Sequence, residues 1–340
     1  DCGIRAVKEI EQASRGLDMI ITDHHTVGEE LPPAVAIINP RQPDCPYPFK
    51  KLAGVGVAFK LAQGLLRVQT KMKQVTTITE ESLLDLVALG TVADLVPLMG
   101  ENRVLVQHGL EVLNERARPG VEALMANASL RRGDVDATAI GFRLGPRINA
   151  AGRIESAMLA YRLLTNRDPH GAGELARELG DLNSRRQNLT QTTVAAAEKQ
   201  ALADDPDAYL FLAADKDFVP GVVGLAASRL TEAYYRPSIV VEMGEERSRG
   251  SCRSIPEFNI TKALDECKHL MIRHGGHAAA AGFTVATEKL DELKASLQAI
   301  AARELAGVEL RPTIEIDLEI PLEEVNWATH DLLRQIEPCG

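Results

Sequence analysis

The stretch that most constrains this chain is Ile20-Ile21-Thr22-Asp23-His24-His25. An apolar, β-prone run that begins at Leu17 and Met19 leads straight into one carboxylate and two adjacent imidazoles. In an open parallel sheet, ligands bind beyond the carboxyl ends of the strands, so a polar triplet there lies at the reactive edge. Imidazole is the commonest metal ligand and changes charge near neutral pH, and the triplet reads as half of a metal site. Its structural alternative is a helix-capping turn with exposed histidines, and partners elsewhere in the chain must decide.

A length of 340 residues exceeds one ordinary domain and argues for two or more. With 4% aromatic and 25% charged residues, and Ala, Leu and Val abundant, the composition is that of a packed α/β protein. No run of about eighteen apolar residues occurs, and no secretory signal opens the chain. The five cysteines, Cys2, Cys45, Cys252, Cys267 and Cys339, are odd in number and form no Cys-x-x-Cys pair. That fits reduced thiols in a cytoplasm. The net charge of −10 argues against a general affinity for nucleic acid, so any phosphate-binding surface must be local. The start at Asp1 without a methionine and the close on Glu337-Pro338-Cys339-Gly340 suggest a fragment at both ends.

Periodicity predicts a helix over 4–15, strands over 17–22 and 34–38, and helices over 53–69, 80–89, 102–114, 120–127 and 156–165. A long polar helix over 173–204 reads as an inter-domain connector. The pattern then restarts, with strands at 208–213, 237–243, 249–254 and 279–285 between helices at 221–235, 260–274 and 290–305. Strict alternation over 312–320 predicts a half-buried strand opening a third β domain.

Four further places carry chemistry. Asp94, in the apolar run Gly90-Thr91-Val92-Ala93-Asp94-Leu95-Val96-Pro97-Leu98, is either an N-cap or turn aspartate or a second ligand facing His24. The stretch 141–153 holds Arg143, Arg147 and Arg153 without an acid, so it is either a solvated basic face or a phosphate site. Arg249-Gly250-Ser251-Cys252-Arg253-Ser254 offers amides, hydroxyls and guanidinium to an anion. His274-Gly275-Gly276-His277 sets an imidazole beside a glycine turn; its alternative is a glycine helix stop.

Asp-His-His after a strand, the Gly-Thr-Val-Ala-Asp-Leu-Val-Pro-Leu run and Gly-Gly-His-x-x-Ala-Ala-Gly in a later domain together resemble the DHH phosphoesterase family. Within it, Gly-Pro-Arg-Ile-Asn-Ala-Ala-Gly-Arg at 145–153 and Pro-Gly-Val-Val-Gly-Leu-Ala-Ala-Ser-Arg at 220–229 look like the bacterial single-strand-specific DNA exonucleases. The resemblance implies an α/β fold: a parallel-sheet DHH domain at 1–170, a connector helix at 171–204, a smaller α/β DHH-associated domain at 205–306, and the start of an OB-like β domain at 307–340. It implies a two-metal centre, Mn²⁺ or Mg²⁺, with Asp1, His24 and Asp94 as ligands and Asp23 and His25 supporting the site and contacting phosphate. Arg147, Asn149 and Arg153, with Ser251, Arg253, Ser254, Gly275, Gly276 and His277 across a cleft, would position the phosphates of the strand end. The implied activity is 5′→3′ exonuclease action on single-stranded DNA in repair and recombination. The implied setting is a cytoplasmic monomer, off the membrane, beside a helicase or a single-strand-binding protein.

The chain also departs from the family. Its first motif, an Asp-x-Asp supplying further metal ligands, would precede Asp1, so the chain as given is expected to bind at most one metal well and to be weakly active or inactive. Val219 stands where a histidine is usual, and Cys252 and Glu257 replace common glycines. Three other readings share the metal residues: a DHH-type oligoribonuclease or small-nucleotide phosphodiesterase, a metal-dependent pyrophosphatase, and a non-catalytic replication scaffold. The long connector and trailing β segment weigh against the first, the basic stretch at 143–153 against the second, and intact His24, His25 and Asp94 against the third.

Overall fold

The computed structural model describes residues 3–339. The chain divides into two compact units: Asp1–Asn149 with Ala157–Gly180 and Ile320–Gly340, and Ala150–Ser156 with Asp181–Glu319.

In the first unit a 3-10 turn, Gly3–Arg5, and helix α1, Val7–Ala13, precede strand β1, Ile20–Thr22. Strand β2, Ala36–Ile38, runs parallel to β1 with Ile21 opposite Ile37. The ladder continues past the strand end, where Asp23 N donates to Ile38 O at 3.1 Å. The triplet therefore begins where the parallel pair stops, the end at which such sheets hold ligands.

Helices α2, Gly54–Lys71, α3, Leu84–Ala93, and α4, Gly100–Arg116, follow. Val87, Ala88 and Leu89 of α3 are buried with Val57 and Phe59 of α2 and Leu105 of α4. At Gly90 a side chain would meet Val55 Cγ1 at 2.7 Å, so glycine lets α2 approach α3 closely. Helix α5, Pro119–Asn127, is tied to α3 through Arg118, whose Nε and Nη2 reach the two oxygens of buried Asp85, each at 2.6 Å. A π-helical turn, Ile140–Leu144, runs into α6, Gly145–Ile154, and then come α7, Met158–Thr165, and α8, Pro169–Asp204. Residues of α8 belong to both units.

The second unit is built on a five-stranded sheet in the order β3-β4-β5-β7-β6. Its strands are β3, Phe211–Asp215, β4, Ser238–Glu242, β5, Arg247–Arg253, β6, Met271–His277, and β7, Ala280–Ala286. Helix α9, Pro220–Tyr234, connects the parallel pair β3 and β4, and the other pairings are antiparallel. Helices α10, Ile260–Glu266, and α11, Leu290–Leu305, bury Ile260, Leu264, Leu293 and Leu297 in one core with Ile239, Cys252, Phe283 and Val285 from the sheet.

Two expectations fail here. The helix expected over 260–274 stops at Glu266, and Met271–His277 becomes a strand. A Gly275-Gly276 pair is a poor helix former, whereas pairing with β7 satisfies the backbone and places Gly276, at φ +153°, against Ala280 and Ala281. The glycine helix stop is thereby replaced by a strand end. The strand expected over 312–320 forms no ladder among the described residues, and Ile314 and Ile316 are 89% and 78% exposed. Alternation becomes a strand only where a ladder partner and a face to bury exist. The described part of 320–340 holds instead a 3-10 turn, Leu322–Glu324, and a helix, α12, Trp327–Arg334.

Candidate metal centre and anion cradle

Asp23 is the knot of the first site. It is fully buried, and its carboxylate accepts from the amides of Ile4 at 2.9 Å, His24 at 2.7 Å and His25 at 2.9 Å, and faces His25 Nδ1 at 2.7 Å. Burial alone would raise its pKa, but these hydrogen bonds favour the charged form more strongly and lower it to about 2. With both oxygens engaged, Asp23 organises the loop. The His25 ring is half exposed, with Nδ1 turned back to Asp23. Asn39, at the end of β2, donates from Nδ2 to His25 O at 2.9 Å and accepts from Arg41 N at 2.8 Å, fixing the loop from its other side.

His24 is 8% exposed and lies with Nε2 3.4 Å from Asp94 Oδ2. Burial holds its pKa below the usual histidine value, outweighing the pull of the Asp94 carboxylate, so the imidazole is neutral at pH 7 and in its ligating form. Two ligand atoms each about 2.1 Å from a shared cation and at right angles are about 3 Å apart, and the His24–Asp94 separation is close to that. The donor set, one neutral imidazole nitrogen and one carboxylate oxygen, suits manganese or magnesium. Asp1 lies outside the described residues, and among the described residues no group of three or more candidate ligands comes together. Asp94 also lines a cavity of about 410 Å³ with Gly90, Ile148 and Asn149, so Asn149 shares its surroundings.

The basic stretch at 141–153 divides. Arg147 donates to Asn127 Oδ1 at 3.0 Å and Arg143 O at 2.7 Å, and Arg143 donates to Ala128 O, so both fasten the stretch to the end of α5. Arg153 belongs to the second unit, where its Nη1 is 3.5 Å from Gly221 O. Nearby stands Arg253, whose Nη1 donates to Cys252 O at 2.8 Å and Ser251 Oγ at 3.3 Å. A side chain at Gly224 would lie 3.0 Å from Ser251 Oγ and 3.2 Å from Arg253 Nη2, so glycine brings α9 against both.

Sequence reasoning missed Arg186, on α8. Its Nη2 donates to Asn183 Oδ1 at 3.0 Å, while its buried Nε has no hydrogen-bond partner among the described residues. Burial, reinforced by Arg153 and Arg229, lowers its pKa, and burial with Arg153 does the same to Arg253. Arg229 pairs with Glu232 at 2.9 Å. Like charges drawn together in this way repel unless an anion joins them. The sequence signal was the Arg185-Arg186 pair on the polar helix, which its surface composition disguised.

The remaining candidates lie elsewhere on the second unit. Ser254 Oγ donates to Phe258 O at 2.6 Å and serves the turn. Gly275 has open space where a side chain would be, and His277 is exposed with its carbonyl accepting from Thr261 Oγ1 at 2.7 Å. On the β5-β7-β6 surface, Arg249, Thr284 and Arg273 lie in one row, and Ser251, Gly282 and Gly275 in another two positions along.

Residues 1–91 match the DHH family, N-terminal domain, and 207–303 match the DHHA1 domain. The chain belongs to the DHH family. It is 41% identical to the single-stranded-DNA-specific exonuclease RecJ of Bacillus subtilis, over 100% of this chain and 42% of that protein. A solved structure of RecJ with Mn²⁺ from Thermus thermophilus is similar with a TM-score of 0.77 and 36% identity, over 89% of this chain and 44% of that one. A structure of exonuclease RecJ bound to manganese is similar at a TM-score of 0.73 and 35% identity, over 89% of this chain and 74% of that one. These likenesses put the chain in the RecJ branch of the family. It spans about half the length of the curated relatives it matches.

Proposed function

We propose that this chain is the DHH and DHHA1 part of a divalent-metal phosphodiesterase that removes nucleotides from the 5′ end of single-stranded DNA. The observation that carries the reading is the approach of His24 to Asp94 at the end of the parallel strand pair, with a neutral imidazole and a carboxylate 3.4 Å apart. Those two residues, with Asp1, would hold the metal, and Mn²⁺ is the better fit because one ligand is a nitrogen. A divalent cation bound there supplies a Lewis acid and a source of hydroxide at neutral pH.

The chain's own residues do the rest. Asp23 orients the two histidines from beneath, and His25 presents its outer ring edge to a phosphate oxygen. Asn149 orients substrate in the cavity beside Asp94, and Arg147 stiffens the stretch that carries it. In the second unit, Arg153, Arg186, Ser251 and Arg253 form a cradle of guanidinium and hydroxyl donors for a terminal phosphate, where a bidentate anion would relieve their repulsion. Gly275, Gly276 and His277, with Ser254 bracing the adjoining turn, offer the sugar-phosphate chain a close approach along the sheet. The domain limits we favour remain 1–170, 171–204 and 205–306, with 307–340 as a separate terminal segment.

We further place the protein in the cytoplasm as a monomer acting beside a helicase or single-strand-binding protein. The free Cys45, Cys252, Cys267 and Cys339 support a reducing compartment. Among the described residues no helix is long and apolar enough to cross a membrane. The test sets 5′-labelled single-stranded DNA, duplex DNA, a dinucleotide and pyrophosphate side by side with Mn²⁺. Preferential loss of 5′ nucleotides from the single strand is expected, and preference for the dinucleotide or pyrophosphate would overturn the reading.

A further inference from the structure

Leu95 stands in an expensive backbone conformation while its side chain is exposed. It directly follows Asp94 at the C-terminus of α3, with its amide donating to Val92 O at 3.2 Å, and its φ is +57°. That helix-ending position is normally glycine's, because a β-carbon is strained there. Among the described residues, Lys73, Ser129 and Tyr235 are the other non-glycine residues at positive φ. Lys73 and Ser129 are polar. Tyr235 packs on the core of the second unit and donates to Glu257. Leu95 is the apolar one in open solvent, 88% exposed.

A second exposed apolar group stands on a neighbouring element. Phe142 is 81% exposed in the π-helical turn Ile140–Leu144, a kind of turn that collects at functional sites. Side chains placed at Gly141 and Gly145 would lie 3.9 Å from Val92 Cγ1 and 3.3 Å from Ala93 Cβ. The turn carrying Phe142 is thus held against the helix end that carries Asp94 and Leu95. In a chain with 4% aromatic residues, an open phenylalanine there is conspicuous.

We propose that Leu95 and Phe142 form a sequence-independent apolar platform for the nucleobases at the end of the strand whose phosphate reaches Asp94. This rests on the reading given under Proposed function. Unpaired bases present flat apolar faces, and every base has one, so stacking and van der Waals contact hold a single strand without reading its sequence. In a duplex those faces are stacked away, so such a platform would itself favour single strands.

The test compares a 5′-phosphorylated oligothymidylate with an oligomer of equal length and charge whose first three nucleotides are abasic. Binding is followed by fluorescence anisotropy in EDTA, which blocks hydrolysis. The wild-type chain should prefer the base-bearing strand by about tenfold or more. Leu95→Gly and Phe142→Ala should each cut that preference severalfold, while binding of the abasic strand stays as it was. Leu95→Gly should melt no lower than wild type, because glycine removes the strain, so lost preference cannot be assigned to unfolding. Leu95→Asn, which also tolerates positive φ, should behave like the glycine variant. Equal binding of both strands by wild type, or variants that keep the wild-type preference, would overturn the platform and leave the phosphodiesterase reading standing. Binding of neither strand would defeat that reading as well.

Discussion

The two units gather charge in opposite ways. Around Asp23 in the first unit, one carboxylate is buried under hydrogen bonds from three amides and an imidazole, so its charge is satisfied before any ligand arrives. Around Arg253 in the second, Arg153 and Arg186 are held near one another, and one buried Nε is left without a hydrogen bond among the described residues. The first arrangement is finished and therefore rigid, which suits ligands that must hold a cation in fixed geometry. The second is unfinished, which suits a site completed by an anion. Burial and mutual repulsion make such a local concentration of arginine costly unless it has a use.

If that contrast is right, His24 and the arginines should fail separately. His24→Ala should lower Mn²⁺ affinity, read by calorimetry, by about 10- to 100-fold or more, with hydrolysis falling at least as far. Binding of a 5′-phosphorylated strand in EDTA should hardly change. Unaltered Mn²⁺ affinity would remove His24 from the metal centre.

The Asp23 network should appear in the acid stability of the protein. Its folded pKa, about 2, lies below the ordinary value of 3.8, so the charged form is the one the fold favours. The stability it contributes is full above about pH 4 and drains away as pH falls toward 2; its size is about 2 kcal/mol. Urea midpoints of wild type and Asp23→Asn should therefore differ most near neutrality and converge between pH 4 and 2. A gap that stays constant over that range would show that the carboxylate's charge is not what the loop depends on.

The sequence revealed the first region better than the second. A strand followed by Asp-His-His is a local pattern, and Asp94 stood out as an acid in an apolar run, so both members of the close pair were legible before any coordinates. Asn39 escaped notice because its role depends on β2 lying beside β1, a contact that no short-range pattern announces. In the second region Ser251 and Arg253 were visible, but Arg186 was not. Its helix is mostly polar, and only packing shows which of its arginines is enclosed. The Met271–His277 strand was missed for a related reason: pairing with β7 overrode a pattern that read as helix. Of the basic run at 143–153, proximity in sequence suggested one surface, whereas Arg143 and Arg147 turn back to α5 and Arg153 does not.

The subtlest consequence concerns Arg186. If its neighbours repel it in the absence of an anion, then replacing it with a flexible apolar side chain of similar reach should not harm the free protein. Arg186→Met should leave the thermal midpoint in phosphate-free, low-salt buffer unchanged or raised, by up to about 1 kcal/mol, or roughly 2–4 °C for a unit of this size. Added inorganic phosphate or a 5′-phosphorylated dinucleotide should reverse the order, because a ligand stabilises a fold in proportion to how tightly the native state binds it. Wild type should gain more than the variant, and Arg153→Ala, having lost one guanidinium of the same cradle, should also gain less. The logarithm of strand affinity should then fall less steeply with the logarithm of salt concentration in both variants, by about one phosphate's share. An Arg186→Met protein that is less stable without phosphate and responds to it like wild type would make this arginine a structural anchor, and would leave Arg153 and Arg253 to hold the anion alone.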